Sequence, residues 1–230
     1  DLNAAVEIVK EFDAPAVVVI KHNNPCGVAQ NKTLAKAYKE AWAGDEDSAF
    51  GGIVGLNREV DEETAKVIAK SGFLECIIAP RFSPAALEIL KAKKNVRIME
   101  MSFSEVEAKD FDLKKVSGGL LVQEKDVKMV AEKDFKAVTK KKPTAKQLRG
   151  LMFAWKVAKH VKSNAIVLVK DTQTVGIGPG QTSRVESVII ASRKAGKKAK
   201  GSLLASDAFF PKADGIQMAA KAGVVGIVQP

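Results

Sequence analysis

The sequence predicts an α/β fold, and three observations carry that prediction. Short apolar runs rich in Val and Ile alternate with stretches of helical periodicity. Glycine, proline and Asn or Asp residues punctuate the junctions between them. The residues are 46% hydrophobic and 28% charged, the balance of a chain that folds around a core. At 230 residues there is material for one large domain or two modest ones.

Each element follows from its own pattern. Leu2, Ala5, Val6, Ile8, Val9 and Phe12 are spaced as one face of an amphipathic helix. Ala16-Val17-Val18-Val19-Ile20 is β-branched, uncharged and fronted by Pro15, which predicts a strand buried on both faces in a parallel sheet. Lys21-His22-Asn23-Asn24-Pro25-Cys26-Gly27 follows, and Asn24-Pro25 with Gly27 is expected to turn the chain. Thr33 caps a helix to about Trp42. The acidic, glycine-containing loop from Ala43 to Gly52 leads into a second strand, Ile53 to Leu56. Asp61 caps a helix to about Lys70, with Glu62 and Glu63 in its first turn and Gly72 at its end. Glu75 to Ala79 is a third strand, Ser83-Pro84 opens a helix to about Lys93, and Val96 to Met101 is a fourth strand. This alternation implies parallel neighbours joined by right-handed crossovers.

From Ser102 to Lys142 the pattern weakens, with one apolar stretch at Gly119 to Val122. Lys140-Lys141-Lys142-Pro143 reads as a solvated linker that divides residues 1–142 from 143–230. Thr144 and Gln147 then form a capping box that opens the longest helix, to about His160. A strand from Ala165 to Lys170 returns through a hairpin at Asp171 to Thr174 into Val175-Gly176-Ile177. Gly178 to Arg184 opens a further helix, and the basic run Arg193 to Lys200 is expected to stay solvated at its end. Leu203 to Ala205 is a short strand, Asp214 caps a helix to about Ala222, and Val224 to Val228 closes the order. The second part thus repeats the grammar of the first, which predicts two similar lobes. Neither end reads as a natural terminus: the start lacks a methionine, the end follows directly on a strand, and the second lobe is expected to be truncated.

Composition narrows the function class. No apolar run approaches the ~20 residues of a membrane-spanning helix. Two cysteines cannot build a disulfide framework and suggest a reducing, cytoplasmic compartment. A net charge of +10 fits either nucleic acid or small anions. The aromatic content of 6% and the single tyrosine weigh against stacking of single-stranded bases, and favour small anions.

The Lys-His loop is the strongest candidate for chemistry. It delivers a cation, an imidazole, two amides and a thiol at the end of a core strand, where open α/β sheets bind ligands. An imidazole can take a proton near neutral pH, and an adjacent ammonium can stabilise a developing oxyanion. The same residues could equally be solvated in an ordinary loop. His22 with Pro25-Cys26 echoes a zinc deaminase, but the signature needs a glutamate and a second cysteine where Asn24 and Ala29 stand. No metal is therefore expected. Gly176 to Arg184 lacks the ending of a P-loop and the glycine spacing of a dinucleotide fingerprint. It retains glycines, a helix N-terminus and Arg184, a combination that can hold an anion. Asp207 with Phe209-Phe210 is either a turn cap beside two core rings, or a carboxylate and an aromatic wall in a cleft.

Lys-His-Asn-Asn-Pro-Cys-Gly, Ser-Ala-Phe-Gly-Gly, Ile-Ile-Ala-Pro, Ser-Asn-Ala-Ile-Val, Gly-Pro-Gly-Gln-Thr-Ser-Arg and Ser-Asp-Ala-Phe-Phe-Pro occur here in one order. Together they span nearly the whole chain and resemble the formyltransferase part of the bifunctional purine biosynthesis family, in which AICAR formyltransferase is fused to inosine monophosphate cyclohydrolase. The resemblance implies two cytidine-deaminase-like lobes, each a mostly parallel mixed sheet flanked by helices. It implies formyl transfer from 10-formyltetrahydrofolate to the 5-amino group of AICAR, with His22 as base and Lys21 as oxyanion partner. Gly51, Glu75, Asn164 and Arg184 resemble nucleotide-binding positions, and Phe209 and Asp214 resemble positions near the folate. Asn24, beside the catalytic pair, is a further substrate-binding candidate. A cytoplasmic homodimer with sites near its interface is also implied, with a monovalent cation such as potassium and no zinc.

Departures are visible too. The family's cyclohydrolase part, an upstream segment with an Arg-Tyr pair and a downstream arginine-containing tail have no counterpart here. Pro179 and Thr182 stand where relatives often carry alanine and a larger residue. A basic nucleotide- or RNA-binding module without turnover is the competing class.

Overall fold

The apolar runs and helical stretches fold largely as their periodicities dictate, in a computed structural model that describes residues 1–103 and 111–230. In chain order the first part comprises α1 (Leu2–Lys10), β1 (Ala16–Lys21), β2 (Asn24–Gln30), α2 (Leu34–Trp42), the single turn α3 (Glu46–Ala49), β3 (Gly52–Leu56), α4 (Glu62–Lys70), β4 (Leu74–Ala79), α5 (Pro84–Leu90) and β5 (Arg97–Glu100). A hairpin of β6 (Phe111–Val116) and β7 (Gly119–Glu124) follows. The rest comprises α6 (Ala145–Ala158), β8 (Ile166–Lys170), β9 (Gln173–Gly178), α7 (Arg184–Ala195), β10 (Leu203–Ser206), α8 (Ala213–Lys221) and β11 (Gly226–Val228).

The helix starts obey capping chemistry. Thr33, Asp61, Ser83 and Thr144 each accept a hydrogen bond from a backbone N–H three residues on, and Gln147 completes the box at Thr144. Two expected caps move. The helix before Gly72 ends on Ser71, whose N–H bonds the Ile68 carbonyl in an extended conformation that needs no glycine. Lys212 occupies the cap position of α8, and Asp214 lies inside the first turn.

Among the described residues nine strands form one continuous sheet in the order β11-β10-β8-β9-β2-β1-β3-β4-β5. Parallel pairs lie at its outer ends and antiparallel pairs at its centre. The expectation of parallel neighbours for Ala16 to Ile20 fails: β1 runs antiparallel to both β2 and β3. Its residues are buried on both faces nonetheless, because helices cover both faces. Burial, not strand direction, made that run uniformly apolar. The β6–β7 hairpin was not anticipated; it turns through Gly118, at φ 80°, and among the described residues it pairs only with itself.

The sheet repeats itself internally. β1 and β2 form a hairpin, β3 pairs antiparallel to β1, and β4 runs parallel to β3. β8, β9, β10 and β11 reproduce that pattern strand for strand. Each hairpin carries an irregularity at the same point, between Val19 and Ile20 in one and between Leu168 and Val169 in the other. The two sets meet antiparallel at Ala29 and Gln173. There the Thr174 hydroxyl accepts from the Val28 N–H at 2.9 Å and donates to the Val28 carbonyl at 3.2 Å.

Helix placement follows the same repeat. α1 and α6 cover one face and share one core cluster. On the other face α2, α4 and α5 cover the first set of strands, and α7 and α8 the second. Gly27 and Gly176 let the strands touch those helices: an added Cβ would lie 1.9 Å from the Ala41 carbonyl oxygen, or 2.1 Å from that of Ala191. Even the strand starts match. Asn57 Oδ1 accepts from the Ala16 N–H at 2.8 Å, and Asp207 Oδ1 accepts from the Ala165 N–H at 2.9 Å. Among the described residues no helix is long and apolar enough to cross a membrane.

Candidate functional site

Strand directions gather the candidate residues at one end of the sheet. Lys21 closes β1 and Asn24 opens β2, Gly51 precedes β3, and Glu75 lies at the start of β4. Asn164 precedes β8, Arg184 opens α7 beyond the end of β9, and Asp207 follows β10.

The Lys-His loop is a two-residue hairpin turn, not the longer strand-to-helix loop expected. His22 and Asn23 take φ of 54° and 61°, the left-handed pair that matches strand twist. Histidine and asparagine are among the few non-glycine residues enriched there. Asn24-Pro25 and Gly27 do not turn the chain, since they lie inside β2. Pro25 sits beside the register shift, where a missing N–H costs the ladder least.

This turn is held on three sides. Lys21 Nζ donates to the Phe50 carbonyl at 2.8 Å, and the Asn23 N–H bonds the Asp1 carboxylate. Asn24 Nδ2 donates to the His22 carbonyl at 3.2 Å, while Asn24 Oδ1 accepts from the Lys162 N–H at 3.1 Å. His22 itself is exposed. An imidazole presented on a braced turn is open to a substrate.

The facing wall is built around Arg184. One guanidinium nitrogen donates to Ser206 Oγ at 2.8 Å and to Asp207 Oδ1 at 2.5 Å, and the other donates to Asn164 Oδ1 at 2.6 Å. Asn164 Nδ2 in turn donates to the Gln181 carbonyl at 2.7 Å. Burial opposes ionisation of Asp207. The Ser163 hydroxyl, the Arg184 guanidinium and the Ala165 N–H outweigh it and hold the carboxyl below its usual range. The Arg184 side chain is only 9% exposed, so its fork orients Asn164 instead of standing open to solvent.

The glycines before it also serve packing. An added Cβ at Gly178 would lie 2.0 Å from the Ser187 carbonyl oxygen, so this glycine seats α7 and does not open a path for a ligand. Gly180, at φ 69°, makes the turn that follows, and its N–H bonds the Lys162 carbonyl at 2.7 Å. The two walls therefore meet at Lys162, which bonds Asn24 on one side and Gly180 on the other.

Other candidates stand farther along the same end. Gly51, at φ 72°, bonds the Phe73 carbonyl, and the exposed Phe50 and Phe73 rings lie 5.9 Å apart beside it. Glu75 pairs with Arg97 at 2.8 Å and not with the Lys-His turn. Phe209 is 63% exposed, whereas Phe210 packs into the core under α8. Asp214 Oδ1 accepts from the Gly215 N–H at 2.6 Å.

Several contributors escaped the sequence reading. Phe50 and Lys162 act through backbone atoms, which leave no mark in composition. The basic run stays at the surface as expected, and two of its lysines also find partners: Lys194 pairs with Asp45 at 2.8 Å and Lys198 bonds the Ala43 carbonyl at 3.0 Å.

The thiols do not add a nucleophile. Burial, followed by the Asp45 charge, pushes Cys26 up to about 11 against the pull of Lys194 and Lys21. Burial also raises Cys76. Neither forms a thiolate readily at neutral pH. Among the described residues no three His, Cys, Asp or Glu side chains come close enough to hold a metal ion.

A family model described as AICARFT/IMPCHase bienzyme matches residues 1–194. The chain is also 55% identical, over all 230 of its residues, to the bifunctional purine biosynthesis protein PurH of Thermoanaerobacter sp. (strain X514), and it spans 45% of that protein's length. A family match that covers the Lys-His turn, Asn164 and Arg184, with a relative this similar along the whole of this chain, settles the lineage: this chain belongs to the AICARFT/IMPCHase bienzyme family.

Proposed function

We propose that this chain carries the formyltransferase chemistry of its family, in de novo purine synthesis. A formyl group passes from 10-formyltetrahydrofolate to the 5-amino group of AICAR, giving formyl-AICAR and tetrahydrofolate. The observation that carries this reading is the Lys-His turn, tied through Asn24 and Lys162 to the loop of Asn164 and Arg184. One wall supplies proton transfer, the other polar groups for a nucleotide.

The roles follow from the chemistry of the amine. Its lone pair is conjugated with the imidazole and carboxamide of AICAR, so it attacks only as its proton leaves. His22 is the base that takes that proton, and Lys21 stabilises the oxyanion formed on the formyl carbon. The Phe50 carbonyl uses one ammonium hydrogen of Lys21 and leaves two for that oxyanion. Asn24, Gly51, Glu75, Asn164 and Arg184 line the nucleotide side, and Phe209 and Asp214 the folate side. Residues 1–142 and 143–230 are the two lobes, and each supplies one wall of the site. The protein works in the cytoplasm as a homodimer with sites near the subunit interface. A monovalent cation is compatible with this scheme, and none of the steps above uses one.

The test is direct assay of the complete protein with AICAR and 10-formyltetrahydrofolate, following tetrahydrofolate release. His22→Ala should lower turnover by ~10²–10⁴, the usual loss for a positioned base, while nucleotide binding is retained. Lys21→Gln should behave similarly. Near-parental turnover by His22→Ala would remove His22 from the mechanism. Tight nucleotide or RNA binding by a parent that never turns over would favour a binding module.

A further inference from the structure

Lys21 is placed by a contact that reaches across the molecule. Its ammonium sits on the carbonyl of Phe50, and Phe50 is the residue that ends α3. α3 is one turn of four residues, too short to hold itself in water. Its start is fixed by Asp45, whose Oδ1 accepts from the Ser48 N–H at 3.2 Å. The other carboxylate oxygen, Oδ2, lies 2.8 Å from Lys194 Nζ near the end of α7. The Asp45 side chain is 11% exposed and that of Lys194 30%, so solvent screens the pair little.

A line of contacts therefore runs from Lys194 through Asp45 and α3 to Phe50 and Lys21. α7 begins at Arg184, in the nucleotide wall, and ends near Lys194. One helix thus carries Arg184 of the nucleotide wall at its start and, near its end, the lysine that holds the cap of α3. Basic side chains beside Lys194 do not share its task. Lys197 is exposed and Lys198 bonds the Ala43 carbonyl.

We propose that Asp45 and Lys194 are positioning residues for Lys21: their ion pair fixes α3, and α3 fixes the carbonyl on which the Lys21 ammonium rests. The proposal rests on the catalytic role assigned above to Lys21, and its test separates the two. Asp45→Asn keeps the cap, since asparagine is as good a cap as aspartate, but loses the charge. Lys194→Met keeps the stem and leaves the carboxylate sheltered and unpaired, a worse outcome than removing both charges. Lys194→Arg restores the charge.

Two measurements on the complete protein are compared. The first is acetylation of Lys21 by acetic anhydride, read by mass spectrometry against Lys170, its counterpart at the other hairpin. The second is kcat and KM for the nucleotide. Asp45→Asn and Lys194→Met should each raise the Lys21 to Lys170 labelling ratio several-fold. They should also lower kcat about ten-fold, in the range a small misplacement of a reacting group costs, with KM changed less than about two-fold. Lys194→Arg should restore both, and the Asp45→Asn, Lys194→Met double variant should do better than Lys194→Met alone. A labelling ratio equal to the parent's in both single variants overturns the proposal. A raised ratio in a protein that never transfers a formyl group upholds the positioning and overturns the catalytic role of Lys21 instead.

Discussion

The Asn24 carboxamide oxygen accepts a hydrogen bond from the backbone N–H of Lys162, at 3.1 Å and across 138 residues of chain. It is the bond that spans the gap between the Lys-His turn and the nucleotide wall. Asn24→Ala removes that bond, at a cost of about 1 kcal/mol, and loosens the tie between the two loops. We expect turnover to fall about ten-fold and nucleotide affinity to fall with it, since both walls shift. Asn24→Asp keeps the acceptor for Lys162 but loses the bond to the His22 carbonyl and adds a negative charge, so it should keep the tie between the walls while weakening binding of the anionic nucleotide. Steady-state kinetics with a binding isotherm would check both, and unchanged values for Asn24→Ala would show that the walls are held elsewhere.

Arg184 separates charge from geometry. Lysine in its place keeps the charge but cannot reach Ser206, Asp207 and Asn164 together. Arg184→Lys should weaken AICAR binding about ten-fold at both low and high salt, because the loss is one of orientation and salt screens only charge. Calorimetric titration at two ionic strengths reads this. Parental affinity in the variant would make Arg184 a strut without a part in binding.

Acid sensitivity should be traceable to Glu11. Its Oε1 lies 2.9 Å from Lys159 Nζ and 3.0 Å from His160 Nε2, tying α1 to the end of α6. Burial opposes its ionisation, but bonds to His160 and Lys159 prevail and lower its pKa. A depressed folded pKa stabilises above the unfolded value of ~4.3, and that contribution is lost as pH falls through the folded one. Glu11→Gln should therefore cost about 1.5–3 kcal/mol at pH 7, and that cost should shrink as the pH falls below the ordinary carboxylate range. Urea unfolding of both proteins at pH 7 and at low pH gives the comparison; a gap that persists undiminished at low pH would refute it.

The strand-to-helix contact at Gly176 predicts a sharp asymmetry among glycines. An added methyl there meets the Ala191 carbonyl and the backbone nitrogen of Ala195, neither of which can swing away. Gly176→Ala should destabilise by about 1–3 kcal/mol or more, as overpacking does. Gly119→Ala meets nothing within 4 Å and should leave the melting temperature nearly unchanged. Thermal unfolding followed by circular dichroism would distinguish them.

Most of the fold was legible because its signals are local. Thr33, Asp61, Ser83 and Thr144 announce their helices, and the runs at Ala16, Ile53 and Ile166 announce strands through burial. Strand direction was not legible at Ala16 to Ile20, since helices on both faces produce the same apolar run in either sense. The turn at His22-Asn23 was missed because it contains no glycine and Pro25 follows it closely. Lys21, His22, Asn24, Asn164 and Arg184 were legible as residue types in recognisable order. What holds them, the carbonyl of Phe50 and the N–H of Lys162, belongs to the backbone and appears only when distant segments meet. The basic run at Arg193 to Lys200 is exposed as its composition implied, but its pairing was not legible: a lysine's partner is decided by the fold, and Asp45 lies far away in sequence.

The matched strand caps at Asn57 and Asp207 say something about how a duplicated frame diverges. Both side chains perform one structural duty, accepting the first N–H of a strand, and Asn57 spends its amide hydrogens on the Phe12 and Ala14 carbonyls. Asp207 has no such hydrogens to give. It has a charge instead, and that charge draws in Arg184, which carries Asn164 with it. Replacing an amide nitrogen by an oxygen thus converts a self-contained strut into an anchor for a recruited cation, while the backbone geometry around it is kept. A symmetric scaffold can in this way acquire an asymmetric site through its struts, with its core left alone.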